Sequence, residues 1–203
     1  MSARLEPLAP KEWGEGMRTA LAALRPAVVR HPLPPQDPSR PKGLNVLGTL
    51  AHNPELATAY HTLTGYILFG SNLSARQREL LVLRVAAVRG SRYEWLQHTI
   101  LAADAGITPE EVRRVIDGPD ADGWERFEEA LVRAADELVA TARIGDDTWS
   151  TLRSELDEKA ILDVIFTVGT YDVLAMTFLS CGVEVDDDLR PLEDELRGNG
   201  LLI

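Results

Sequence analysis

The sequence predicts an all-α protein, and three observations support this. Only 6% of the 203 residues are aromatic, and the abundant alanine and leucine favour helix over sheet. Apolar residues recur at helical spacing along most of the chain, and little of it alternates with a period of two. Helix-start signals also recur, such as Asn53-Pro54 and Thr108-Pro109, in which a capping side chain precedes a proline at the first helical position.

The first helix is predicted from Glu12 to Leu24. An arm then follows from Arg25 to Gly43, which holds six of the chain's prolines. Because proline lacks a backbone N–H and blocks the helix, we expect this arm to be extended. It is either a disordered linker or a segment laid across a neighbouring surface or subunit.

Eight more helices are predicted between Leu44 and Leu179, with glycines at several of their ends. The predicted helices are Leu44 to His52, Asn53 to Phe69, Ser74 to Arg89, Arg92 to Ala105, Thr108 to Asp117, Trp124 to Arg143, Asp147 to Ser154 and Asp157 to Leu179. We divide the chain into the N-terminal helix and proline-rich arm (1–43), a helical domain (44–185) and an acidic C-terminal tail (186–203).

The composition of the chain limits the classes of binding partner and the cellular location that we expect for it. A formal net charge of -11 disfavours binding to nucleic acid or to anionic lipid, both of which need a basic surface. No run of about 18 apolar residues exists, so no membrane span is expected. The start of the sequence lacks the apolar region of a signal peptide. The single cysteine, Cys181, cannot form an internal disulfide, and a cytoplasmic location is expected.

Candidate chemistry concentrates between residues 79 and 98. Glu94 and His98 are one helical turn apart and therefore share a face, which continues through Leu101 and Ala105. A carboxylate beside an imidazole on an apolar face is expected to have perturbed pKa values. The alternative is an ordinary surface pair of small energetic effect.

Glu79 lies in register with Leu83 and Ala86, which face the predicted core. A buried glutamate must be paired, protonated or functional, and the structural alternative is a pair with an arginine such as Arg76, Arg84 or Arg92. The spacing from Glu94 to His98 could supply half a metal site, but no second ligand cluster follows in sequence, and no metal or cofactor is predicted. Tyr93 and Trp95 are either core aromatics or site residues.

The segment from Leu73 to Ile107 resembles the core helical hairpin of the carboxymuconolactone decarboxylase family, which is related to the alkylhydroperoxidase D-like proteins. The motifs are R-x-R-E at Arg76 to Glu79, Y-E-W-x-x-H at Tyr93 to His98 and A-x-x-A-G-I at Ala102 to Ile107. Segments at Asn45 to Pro54 and Val168 to Asp172 are similar too, so the resemblance covers about residues 44–185. It implies a helical bundle built on a central antiparallel hairpin, assembled as trimers or hexamers with active sites near subunit interfaces.

One departure from the family pattern affects the mechanism. In the peroxidase branch a C-x-x-C pair opens this helix, and the matching positions here are Ser91 and Glu94. Neither forms a thiolate, so a dithiol peroxidase mechanism is excluded at this site. The resemblance places Glu79, Tyr93 and His98 at proton-relay positions, and the decarboxylase branch carries a glutamate where Glu94 stands.

Together these features predict a cofactor-independent acid–base enzyme acting on a small lactone, organic acid or carbonyl compound. His98 would transfer the proton with Glu94 and Glu79 as partners, and Tyr93 would donate a hydrogen bond to the developing oxyanion. The alternative is a non-catalytic helical oligomer that binds a ligand or partner, and thiol peroxidase activity is the least favoured interpretation. The predicted substrate-binding residues are Arg76, Arg84, Arg92 and Trp95.

Overall fold

A computed structural model describes residues 3–31, 37 and 40–203 of the chain. The described residues contain helices and loops and no β-strand, which confirms the predicted all-α class. The remaining central residues of the proline-rich arm, 32–36 and 38–39, lie outside the described residues. The α-helices are α1 (Glu15–Ala23), α2 (Leu44–Leu50), α3 (Pro54–Gly65), α4 (Ala75–Arg89), α5 (Arg92–Asp104), α6 (Pro109–Asp117), α7 (Arg126–Thr141), α8 (Asp146–Glu155), α9 (Glu158–Cys181) and α10 (Arg190–Gly198).

The chain forms two compact units whose bounds differ from the three segments drawn from the sequence. One unit combines Met1–Ser71 with Met176–Pro191, and the other combines Asn72–Ala175 with Leu192–Ile203. Each unit is therefore built from segments that are far apart in sequence.

In the first unit, α1 packs against α3. Its core contains Met17 and Ala20 of α1 with Ala51 and Ala57. The first helix is shorter than predicted because a 3₁₀ turn at Pro10–Glu12 precedes it and the extended Gly14 is its N-cap.

The end of α3 also differs from the prediction of a helix to Phe69. The α-helix ends at Gly65, and Tyr66–Gly70 form one π-helical turn. The Phe69 carbonyl at this turn accepts hydrogen bonds from the backbone N–H groups of Arg30 and His31, at 2.6 and 3.1 Å. The described beginning of the arm is therefore non-helical, with bends at Arg25, Ala27 and Val28, and is held to the turn that follows α3.

The second unit contains the predicted hairpin of α4 and α5. Ser74 caps α4 and forms a capping box with Gln77, and Gly90 ends the helix at φ +64°. These local signals agree with the sequence prediction because capping and a left-handed glycine are set by neighbouring residues. Helix α4 packs against α5, α6 and α7, and α7 packs against α8.

The segment predicted as an acidic tail is folded. A 3₁₀ turn at Asp187–Leu189 leads into α10, and Leu196 is buried. Beyond this helix, the carbonyl of Leu201 accepts a hydrogen bond from the indole Nε1 of Trp95 at 2.9 Å. The high acidic content of residues 186–203 therefore gave no indication of this short amphipathic helix, whose apolar side is buried.

Helix α9 is the longest in the described part of the chain. It is long and apolar enough to cross a membrane by length and composition alone, a test that core helices of soluble proteins also meet. In its most apolar window the mean hydropathy is 1.6, and 44% of that window is buried. Much of this apolar helix is thus exposed on the chain considered alone.

Candidate active site

A buried pair between α4 and α5 forms the centre of the candidate site. His98 Nδ1 lies 2.7 Å from Glu79 Oε2, and the side chain of Glu79 is fully buried while that of His98 is 10% exposed. Arg78 Nε donates to the other carboxylate oxygen of Glu79 at 3.0 Å. The hairpin thus places an imidazole and a guanidinium on the two oxygens of one buried carboxylate.

Two opposing effects set the pKa of Glu79. Burial raises it, while the neighbouring His98 and Arg78 lower it through charge and hydrogen bonds. The lowering effects prevail, and the pKa lies below the usual range. Glu79 is therefore the ionised member of the site at neutral pH.

Glu94 has a very different environment from Glu79. It is 1% exposed, and neither of its carboxylate oxygens has a hydrogen-bond partner at standard geometry. Burial raises its pKa well above the usual range, and the nearby Ser91 hydroxyl offsets only part of that increase. The one-turn spacing places Glu94 on the buried side of α5 with His98, but Glu79 makes the hydrogen bond to the imidazole.

Helix α9 adds a residue that sequence reasoning missed. The ring of Tyr171 meets the ring of His98 edge to face, with centroids 4.8 Å apart and planes at 87°. Tyr171 is 2% exposed, so it forms one wall of the imidazole's surroundings. The V-G-T-Y-D segment supported the family resemblance but carried no sign that this tyrosine contacts His98.

Asp172, the next residue in α9, is also linked to the site. Arg89 of α4 holds it through two hydrogen bonds of 2.5 and 3.0 Å. Its negative charge raises the pKa of Glu94 further. The neutral form of Glu94 is therefore favoured by burial first and by Asp172 second.

The two aromatic candidates are both buried. Tyr93 is 4% exposed, and Trp95 is fully buried. The indole N–H of Trp95 donates to the carbonyl of Leu201, which is a structural contact within the unit. The roles of Tyr93 as an oxyanion donor and of Trp95 as a substrate contact stay predictions.

The three candidate arginines are engaged in ion pairs away from Glu79 and His98. Arg76 binds Glu111 and Glu128 with hydrogen bonds as short as 2.6 Å. Arg84 binds Asp136 through two bonds and also donates to the backbone carbonyls at the end of α6. Arg92 pairs with Glu193 at 3.3 Å, and its side chain remains 54% exposed.

Metal binding needs several donor groups held together. Among the described residues, no group of three or more histidine, cysteine or acidic side chains is arranged for a metal ion. Cys181 is a free, partly exposed cysteine at the end of α9.

Comparison with known proteins finds a family model that matches part of the chain, including the hairpin. Residues 54–137 match the sequence model of the Carboxymuconolactone decarboxylase family, which confirms the resemblance read from the motifs. The matched range runs from the start of α3 into α7 and includes Glu79, Glu94 and His98. No curated protein sequence matches the chain at a significant level.

Solved structures share the fold at low sequence identity. A peroxidase-related protein from Ralstonia eutropha with an alkylhydroperoxidase AhpD core has a TM-score of 0.62 and 19% identity, covering 71% of this chain and 78% of that one. A peroxidase-related protein from Silicibacter sp. has a TM-score of 0.64 and 18% identity, covering 71% and 77%. The debrominase Bmp8, solved as a cysteine-to-alanine variant with 2,3,4-tribromopyrrole, has a TM-score of 0.71 and 16% identity, covering 97% and 98%.

Proposed function

We propose that this member of the carboxymuconolactone decarboxylase family is a cofactor-independent acid–base enzyme acting on a small lactone, organic acid or carbonyl compound. The observation that carries the proposal is the pair of buried glutamates around His98. Glu79 binds the imidazole at 2.7 Å, whereas Glu94 is buried beside the Ser91 hydroxyl, and neither of its oxygens makes a hydrogen bond of standard geometry. Two carboxyl groups whose pKa values move in opposite directions are typical of an acid and a base assigned to separate roles.

His98 is the proposed proton-transfer residue. When its Nδ1–H donates to the Glu79 carboxylate, Nε2 carries the lone pair and can accept a proton from a carbon next to a carbonyl group. The same carboxylate then stabilises the imidazolium that forms, since it lies on the opposite nitrogen. Arg78 holds the second oxygen of Glu79 and so fixes the carboxylate in place.

Glu94 is the proposed hydrogen-bond donor to the substrate oxygen. A carboxylic acid that burial keeps protonated can stabilise the enolate that develops when the proton leaves carbon. In an isomerisation His98 returns the proton to another carbon. In a decarboxylation the substrate carboxylate loses carbon dioxide, the electron pair of the broken C–C bond forms the enolate, and the imidazolium form of His98 gives its proton to carbon. Tyr93 is retained as a second proposed donor to the oxyanion.

Substrate binding would use side chains that the fold leaves accessible. Among the predicted arginines, Arg92 is the best candidate to meet an acidic group because its side chain is 54% exposed. Arg76 and Arg84, with side chains 29% and 13% exposed, have most of their donors bound to carboxylates and carbonyls. Trp95 is fully buried and would contribute to substrate binding only by lining the site.

The test is turnover of γ-carboxymuconolactone and related lactones by the full chain. His98→Ala is expected to lower kcat by about 100-fold or more, as loss of a general acid–base group does. His52→Ala is the matched control, since His52 is an exposed histidine that contacts the backbone carbonyl of Glu6. Equal rates for wild type and His98→Ala would overturn the proposal and favour the non-catalytic helical oligomer.

We propose that thiol chemistry contributes nothing to this activity. Ser91 and Glu94 stand where the peroxidase branch of the family has its cysteines, and Cys181 is the single cysteine in the chain. Cys181→Ser should therefore retain full turnover. Loss of activity in Cys181→Ser would restore the thiol interpretation.

The assembly and the location of the protein are part of the proposal. We propose a cytoplasmic homo-oligomer, either a trimer or a hexamer, that acts on small molecules and has no nucleic-acid or membrane partner. The net charge of -11 supports the absence of those two partners because both present dense negative charge.

A further inference from the structure

An exposed apolar stripe runs along one side of α9. Leu162, Phe166 and Val173 are 56%, 54% and 57% exposed, and Gly169 lies between the last two and is exposed as well. These positions follow one another at steps of four, three and four residues, the spacing with which a helix presents a continuous seam to another helix. We call these four residues the α9 seam.

The α9 seam carries no formal charge. Between residues 160 and 183 the only charged side chains are Asp163 and Asp172, and both are held on other sides of the helix. Asp163 is 3% exposed and accepts hydrogen bonds from Asn72, while Asp172 is paired with Arg89. In a chain of net charge -11, a neutral face is where two copies can meet with the least charge repulsion.

Further apolar side chains lie near α9. Ile165 of α9 and Trp149 of α8, which is 43% exposed, help to line a shallow depression of about 410 Å³, whose lining also includes the ion-paired Arg143 and Asp146. A large apolar side chain that is half exposed leaves roughly 100 Å² uncovered, so the seam and Trp149 together expose several hundred square ångströms. Patches of that size mark interaction sites, and this one could form the apolar core of an interface that needs about 800 Å² per partner.

Gly169 indicates what covers the seam. A side chain at this position would meet no heavy atom within 4 Å, so packing within the chain does not require glycine there. Glycine inside a helix is less stabilising than alanine. A glycine at the centre of an exposed apolar stripe is useful where a second helix must approach the backbone closely.

We propose that a second copy of this chain packs on the α9 seam, with the two α9 helices antiparallel and crossing at Gly169. Phe166 and Val173 lie on either side of the glycine, so a two-fold axis there places Phe166 of one copy against Val173 of the other. Such an interface is self-complementary, as closed dimers require. The antiparallel arrangement also pairs opposite ends of the helix dipoles.

A two-fold contact through the α9 seam restricts the number of chains in the assembly. An interface in which one face meets its own copy joins chains in pairs, so the complete assembly contains an even number of copies. A hexamer contains such two-fold contacts, whereas an isolated cyclic trimer does not. The inference is independent of the proposed catalysis, because it places no seam residue in the reaction.

The first experiment compares two substitutions of matched exposure in the full chain. Phe166→Glu buries a charge in the proposed interface and should raise the dissociation constant of the two-fold contact by about 30-fold or more, the effect of losing an interface hot spot. Leu56→Glu, at a 57% exposed site on α3, should leave it unchanged. Sedimentation velocity over a concentration series measures both, and circular dichroism checks the helix content.

Gly169→Leu distinguishes a specific helix crossing at Gly169 from nonspecific apolar association. It adds apolar surface and improves helix propensity, so each chain should unfold at a higher temperature, but its side chain would separate the two helices. We expect the dissociation constant to rise about tenfold, the equivalent of 1.4 kcal/mol. The proposal is overturned if Gly169→Leu associates as well as or better than wild type, or if Phe166→Glu and Leu56→Glu have equal effects. It also fails if wild type stays monomeric throughout the series, or if the monomer instead floats with phosphatidylcholine vesicles.

Discussion

His98 and Glu79 form a hydrogen-bonded pair across the α4–α5 hairpin, with His98 Nδ1 2.7 Å from Glu79 Oε2. This pair leaves Glu94, one turn before His98 on α5, as a second buried carboxyl group whose oxygens make no hydrogen bond of standard geometry. The pKa of Glu79 is lowered by its cationic neighbours despite burial, whereas burial raises that of Glu94. Two glutamates in one hairpin therefore prefer opposite protonation states.

Glu79→Gln is expected to destabilise the protein substantially. The substitution preserves shape but removes the buried negative charge that accepts hydrogen bonds from Arg78 and pairs with His98. Breaking a buried ion pair in this way costs about 3 kcal/mol or more. Urea unfolding at pH 7 measures the loss, and a change below about 1 kcal/mol would contradict an ionised, structurally paired Glu79.

Glu94→Gln is expected to stabilise the protein, and the gain in unfolding free energy should depend on pH. Because the folded pKa of Glu94 is raised, its contribution to stability is fully present below the unfolded pKa and is lost as the pH rises toward the folded pKa. Glutamine has no such dependence. Glu94→Gln should therefore gain stability relative to wild type as the pH rises above about 4.5, the ordinary range of glutamate.

Unfolding free energies measured from pH 4 to pH 8 would test the Glu94 prediction. Glu79→Gln is the control in the same series, since the pKa of Glu79 is lowered and its stabilising effect is present above the unfolded pKa. The two variants should diverge as the pH rises. Parallel curves would show that the two carboxyl groups do not titrate in opposite directions.

The sequence predicts the hairpin well because its signals are local. Ser74 and Gly90 bound α4, and their effects depend on neighbouring residues alone. The choice of partner for His98 depends instead on how α4 and α5 rotate against each other. Helical periodicity placed Glu79 and Glu94 on buried faces but could not determine which carboxylate reaches the imidazole.

Contacts between distant segments were less predictable still. Tyr171 reaches His98 from α9, and spacing within α5 carries no information about that contact. The helix α10 was missed because residues 186–203 were interpreted as an acidic C-terminal tail. In the structure Glu193 is 6% exposed and pairs with Arg92 and Arg197, which neutralises its charge.

Arg76→Gln tests whether that arginine is structural. Hydrogen bonds from Arg76 lower the pKa of Glu111 to about 2, so the pair stabilises the fold above the unfolded pKa and loses that effect as the pH falls from about 4.5. At pH 7 we expect a loss of about 2 kcal/mol, since Arg76 also binds Glu128 and both carboxylates lose their partner. The loss should shrink steadily toward pH 3.

A matched arginine control is available in the exposed pair of Arg18 and Glu15, whose side chains are 67% and 80% exposed. Arg18→Gln should change the unfolding free energy by less than about 1 kcal/mol. If Arg76→Gln has an equally small effect on stability but raises KM for an acidic substrate, the sequence-based role of Arg76 in substrate binding would replace the structural one.

His61 gives the first unit its own dependence on pH. It is 4% exposed, and its Nδ1 lies 2.9 Å from the carbonyl of Ala20. Burial lowers its pKa, and the hydrogen bond to Ala20 offsets only part of that decrease. A lowered histidine pKa means that the folded state resists protonation, so stability is present above the unfolded pKa and is lost as the pH falls below about 6.5.

His61→Gln should remove this acid sensitivity while keeping a side-chain donor for Ala20. Its unfolding free energy should fall less than that of wild type between pH 7.5 and pH 5, although it is less stable at pH 7.5 because glutamine packs differently from imidazole. His52→Gln, at an exposed position, should follow the wild-type curve. If His61→Gln and wild type lose stability equally over this range, His61 is not the group that makes the first unit sensitive to acid.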